Sequence, residues 1–227
     1  MAVTYVGKGT FQTGRDALTV PIPTGISVGD LLLLIIQRTA YTETPTDISG
    51  WTTVDVGEEI QVTSVQVVYK FAVEGEGSAT IPYIANSTRA IMSAWRGVDE
   101  ATPINAWLKT TLSLSGSTSY SRPNPSSTVD GCMLVNCIGF WDQDSDDTSN
   151  FTSWANTSLV SITEGHDEST ATGSGGGLAF AYGIKTTAGA INDTTATVDY
   201  AVSYHSVINL LLSPVQPKKS STFFMFL

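Results

Sequence analysis

The chain contains two histidines, His166 and His205, and acyl or proton transfer of the Ser–His–Asp kind would need one of them. His166 lies in "EGHDES", bounded by glycine and acids, and reads as a solvated loop residue. His205 lies in "VSYHSVI" beside Ser206, and reads as a strand residue facing polar neighbours. Neither stands in a nucleophile motif, so no catalytic residue is assigned and the chain is expected not to be an enzyme. The stretch "WDQDSDDTSN" places carboxylates at Asp142, Asp144, Asp146 and Asp147. Alternating aspartates open many calcium loops, which then require Gly at the sixth position and Glu at the twelfth. Here those positions hold Asp147 and Ser153, so the pattern fails and a solvated loop tip is the plainer reading. No metal or cofactor is expected. The same stretch also offers a sugar site, with Trp141 stacking on the ring and Asp142 and Asp144 accepting from hydroxyls, although core packing is the more frequent role of a Trp so placed. The glycine-rich "ATGSGGGLA" leads into a strand rather than a helix, so it cannot cradle phosphates as a P-loop does.

The elements that must hold these residues are strands. Thr, Val, Ile and Tyr fill the ordered segments, Gly, Asn, Asp, Ser and Pro punctuate them, and helical periodicity is almost absent. The expected fold is all-β, a jelly-roll-like β-sandwich. Two near-continuous apolar runs, "DLLLLIIQ" and "CMLVNCIGF", are expected to be central strands covered on both faces. A strand is also expected over 159–164. Cys132 and Cys137 have an odd offset within one strand, which puts them on opposite faces and forbids a bridge.

The two halves echo each other. "GDLLLLIIQ" with "GWTTVDVGE" matches "DGCMLVNCIGF" with "SWANTSLVSITEG". "VQVVYKFAVEGEGSATI" matches "LAFAYGIKTTAGAINDTTATV", and "RAIMSAWRG" matches "HSVINLLLSP". This pattern suggests two duplicated four-stranded halves in a single domain, residues 1–213, followed by an extended C-terminal arm, residues 214–227.

Composition narrows the function. The 227 residues carry a formal net charge of −10 with only 14% charged residues. No basic patch is visible, so neither nucleic acid nor an anionic membrane is an expected partner. No signal peptide is read at the N-terminus, and the longest apolar run is too short to cross a bilayer.

The order "GDLLLLII", "GWT", "VQVVYKFA" and "AWRGVDEATPINA" resembles β-sandwich structural proteins of tailed bacteriophages, over residues 29–106. The resemblance implies a virion component made in the host bacterial cytoplasm: a capsid decoration (cement) protein, or a tail-fibre or receptor-binding module that recognises a host surface glycan. It implies the major capsid protein or another virion protein as partner, and a homo-oligomer. It carries over no catalytic residues.

The ending "PVQPKKSSTFFMFL" fits an assembly. Two prolines favour an extended linker. Phe223, Phe224, Met225, Phe226 and Leu227 are then candidate partner-binding anchors, since exposed in a monomer they would be an aggregation liability.

Overall fold

The computed structural model describes residues 2–39, 46–59, 62–82, 87–113, 118–142, 146–171, 175–199 and 202–217. Its ordered elements are all strands. The first half holds β1 (Thr4–Lys8), β2 (Gln12–Gly14), β3 (Leu18–Val20), β4 (Leu31–Thr39), β5 (Thr52–Glu59), β6 (Thr63–Phe71), β7 (Ala79–Ile81) and β8 (Thr88–Arg96). The second holds β9 (Ile104–Ser113), β10 (Ser119–Arg122), β11 (Cys132–Asp142), β12 (Phe151–Ala155), β13 (Thr163–Ser169), β14 (Gly177–Lys185), β15 (Thr194–Val198) and β16 (Val202–Leu212).

One sheet runs β1-β8-β4-β6-β5, with β2 also on β8, and the other runs β9-β16-β11-β14-β13. These are the same path in the two halves. The short pair β3-β7 likewise matches β10-β15, to which β12 adds a third strand. The match extends to single residues. Leu31 lies between Trp95 and Phe71, and Met133 between Leu212 and Ile184. Tyr69 faces Leu33 as Tyr182 faces Val135. The turns into the two central strands repeat as well. Gly29 (φ 85°) donates to Ala72 O, and Gly131 (φ 76°) donates to Lys185 O. Both glycines take a backbone conformation that a side chain would strain.

The layers explain the two apolar runs. Leu31, Leu33 and Ile35 point into a core shared by both sheets, with Val65, Trp95, Met133, Val135, Phe180 and Leu210. Leu32, Leu34 and Ile36 point the other way, into a core closed by β3 and β7. All six side chains of residues 31–36 are fully buried. Each contributes roughly 1.5–3 kcal/mol as an upper figure for burial. β11 does the same in the second half. Cys137 faces the shared core, whereas Cys132 faces the outer one, and both thiols are free.

The outer layers differ in chemistry. Where the first half pairs Leu34 with Met92, the second pairs Asn136 with Asn209 at the matching register. Asn136 Nδ2 donates to Asn209 Oδ1 (2.9 Å) and to Asn124 Oδ1 (3.0 Å), while Asn209 Nδ2 reaches Pro123 O (2.7 Å). A buried amide pair is tolerated there because its donors find acceptors.

Three expectations change. Each half supplies a five-stranded main path rather than four strands, and each sheet is drawn wholly from one half, whereas a jelly roll interleaves its strands between sheets. The strand expected over 159–164 lies further on, as β13. A turn ends at Leu159, whose N–H donates to Asn156 O, and Leu159 plugs an outer core. The acidic "TEGHDES" that follows pairs with β14, its glycine absorbed in a bulge between Glu164 and His166. Finally, Pro214 and Val215, expected to begin the arm, lie against the body, with Pro214 bridged to Val98.

Close packing around glycine gives a stability test. A Cβ on Gly183 would sit 2.1 Å from Ser161 O and 2.8 Å from Leu159 Cδ1, whereas one on Gly77 would meet nothing within 4 Å. Gly183→Ala should therefore destabilise by about 1–3 kcal/mol in urea denaturation, and Gly77→Ala by far less.

Candidate functional site

The chain leaves both central folding units at one end of the sandwich. After β8 and after β16 the two exits cross and bond reciprocally: Val215 N–H donates to Gly97 O (3.0 Å) and Asp99 N–H to Ser213 O (2.9 Å). The segments are equivalent in the repeat, so this contact marks a local two-fold relation between the halves. From there the chain enters β9, which completes the edge of the second sheet beside β16, while β1 fills the corresponding edge beside β8.

Two charged residues brace the exit. Arg96 Nε and Nη2 clasp Asp30 Oδ1 (2.9 Å) and Oδ2 (2.7 Å), and Asp30 also accepts from Ser27 N–H (2.7 Å). The carboxylate raises the pKa of Arg96 above its ordinary value, through the hydrogen bonds first and its charge second. Such a two-point clasp fixes direction as well as charge. Asp99 Oδ1 accepts from Ala101 N–H (2.8 Å) and Thr102 N–H (3.3 Å), which holds the following turn.

Among the described residues, three open recesses lie on this face. The first, about 610 Å³, is walled by the turn at Ser27–Asp30 and the exit Arg96–Ala101, and Val215 closes it. A second, about 270 Å³, has Ala2, Asp130, Gly131 and Pro214 to Pro217 around it. A third, about 480 Å³, lies between Thr128–Asp130, Ala188, Gln216 and Pro217. Val28 is 70% exposed and Val215 45% exposed on the first of them. Exposed apolar side chains beside carboxylates make a surface suited to docking a polypeptide.

The residues singled out in the sequence fall elsewhere. His166 is not in a loop. It is buried in β13, its Nδ1 3.2 Å from Lys8 Nζ and its ring against Phe11. Burial first, and Lys8 second, pull its pKa down to about 3, so it is neutral at pH 7. Its neighbour Asp167 points to the other face, where it accepts from Phe151 N–H (2.6 Å) and Asn150 Nδ2 (3.0 Å). Burial pushes that carboxyl up to about 7 against the pull of those bonds. His205 is a buried strand residue whose Nε2 meets the Arg122 guanidinium. A guanidinium only donates, so Nε2 accepts and the ring proton sits on Nδ1. Burial, then Arg122, pull its pKa down to about 3. Ser206 follows it in an extended strand, so the two side chains face opposite ways and form no nucleophile–base pair.

Trp141 lies near the far end of β11, half-buried, its ring 5.7 Å from that of Tyr204 at 52°. Asp142 ends β11, and Asp144 lies outside the described residues. Of the loop's other acids, Asp147 Oδ1 accepts from Thr148 N–H, Ser149 N–H and Ser149 Oγ–H. Asp146 accepts from Ala171 N–H (3.0 Å). Asp147 thus folds its own loop, and Asp146 ties that loop to the one after β13. Among the described residues, no three His, Cys, Asp or Glu side chains gather as a metal site. Phe223, Phe224, Met225, Phe226 and Leu227 also lie outside the described residues.

The exit face itself was not anticipated. A signal for it stood in the sequence all the same: the lone acid of "GDLLLLII" and the lone base of "AWRG" each border an apolar strand, and they prove to be the Asp30–Arg96 pair. Comparison of the chain with family models, curated proteins and solved structures gives no match.

Proposed function

We propose that the chain is a non-enzymatic structural component of a tailed-phage virion, a capsid decoration or cement protein that binds the shell and neighbouring subunits through its exit face and the segment that follows it. The observation that carries the reading is the exit face, where exposed Val28 and Val215 flank recesses at the point from which residues 218–227 continue. A rigid double sandwich with a greasy segment adjoining such a face suits clamping between subunits better than turnover of a substrate. The low charge and acidic balance support it too.

The test compares the full-length chain with one ending at Ser220, by oligomer mass in solution and by binding to undecorated capsids. The expected result is a truncated protein that melts like the full chain and no longer associates. A truncated protein that associates and binds capsids undiminished overturns the reading.

A second reading, a fibre or receptor-binding module, draws on the partly exposed Trp141–Tyr204 pair at the opposite end of β11. Aromatic faces of this kind stack on sugars. Binding to a host glycan that is lost in Trp141→Ala would favour it.

A further inference from the structure

We propose that the recess between Ser27–Asp30 and Arg96–Ala101 is the receiving site for residues 218–227 of a second copy of the chain. This rests on the assembly reading above and assigns it a partner and a place.

Charge is the first argument. Within the recess, Asp30 is neutralised by Arg96 at 2.7 Å. Asp99 and Glu100 stand at the rim, and Glu100 is exposed. The site therefore presents net negative charge beside apolar Val28 and Val215. The segment 218–227 reads Lys-Lys-Ser-Ser-Thr-Phe-Phe-Met-Phe-Leu: a paired cation, a polar spacer, then apolar side chains. The two chemistries are complementary, cations to carboxylates and Phe or Met to the valines.

Direction is the second argument, and it favours a second copy. Val215 lines the first recess and the second, Gln216 and Pro217 line the second and third, and neither of these touches the first. The described chain thus runs away from the recess at Ser27–Asp30, toward Asp130 and Ala188. Among the described residues, nothing fills the recess it leaves behind. Exchanged reciprocally, the segments make an isologous pair; passed on in one direction, they build a ring or an open chain.

The experiment is sedimentation equilibrium of the full-length chain and four variants, one of them the chain ending at Ser220. Glu100→Lys reverses a rim charge at an exposed position, and Val28→Asp places a charge where the apolar contact is expected. Each should raise the dissociation constant of self-association by about tenfold or more, with melting unchanged. Glu100→Lys mixed with a Lys218→Glu, Lys219→Glu chain should regain association that neither shows alone. If the chain ending at Ser220 dissociates while both recess variants associate as the unaltered chain does, the receiving site is wrong and the assembly reading stands. If truncation and recess variants alike leave association unchanged, or the full-length chain is a monomer throughout, both fall.

Discussion

Trp95→Ala should lower the free energy of unfolding by about 3–5 kcal/mol, read from urea or thermal denaturation, and should do so within one transition. Trp95 is fully buried, and its ring lies 5.1 Å from Tyr5 and 5.2 Å from Tyr182, the latter edge-on at 84°. Phe180 stands 6.5 Å away on the same side. Tyr5 belongs to the first sheet, whereas Tyr182 and Phe180 belong to the second, so the cavity opens at the seam between the halves. Its walls are strands with no room to collapse, which places the loss toward the upper end of the range for large-to-small substitutions. Ser93 Oγ also loses the indole N–H that donates to it at 3.0 Å. Because the core is shared, neither half keeps a complete set of contacts once the other unfolds. Two separate transitions, or a loss below about 1 kcal/mol, would contradict the shared core; losses that small belong to surface sites.

Acid should unfold the protein through its histidines. His166 and His205 have ordinary values of 6.5 and are each held down to about 3 in the folded chain. The stability they contribute is fully present above pH 6.5 and is lost as pH falls from there toward 3. Asp167 has the opposite sign: raised from 3.8 to about 7, it contributes stability below pH 3.8 that is lost as pH rises through 7. Two groups outweigh one, so stability should fall steeply between pH 6 and pH 4 in a series of urea melts. His205→Gln keeps an acceptor for Arg122 without a titrating ring, and should flatten that fall by about one proton's worth of slope. Asp167→Asn should instead gain stability relative to the parent at pH 8 and lose that advantage at pH 4. Equal pH profiles for all three proteins would mean that these groups are not buried as described.

The sequence disclosed some of this and concealed the rest for identifiable reasons. The runs at 31–36 and 132–138 were legible as doubly covered strands, because a strand apolar at every position has no face left for water. The duplication was legible from Tyr69 and Tyr182 and from the two glycine turns, and strand order in both sheets agrees with it. Strands β1, β2, β10 and β12 were not, being three to five residues long and built around Thr, Gly and Ser. In such short pieces partners across the sheet decide, not local preference. His166 was misplaced because acids and glycine around it imitate a loop, while a bulge and the β14 ladder make it a strand. For the exit face, Asp30 and Arg96 each stand out locally as a lone charge beside an apolar strand, but nothing local tells that the two, 66 residues apart, meet.

The two outer layers, one with Leu34 against Met92 and the other with Asn136 against Asn209, have a consequence for how this protein can change over generations. Each outer layer is enclosed by strands of its own half alone, so a substitution there answers only to neighbours from the same copy of the repeat. The central seam answers to both copies at once. Drift should therefore accumulate unevenly, with the flanks of the two repeats growing apart while residues such as Leu31, Met133, Tyr69 and Tyr182 are held together by mutual constraint. The two private compartments already differ in chemistry, an apolar pair in one and an amide pair in the other, whereas the shared core is apolar on both sides.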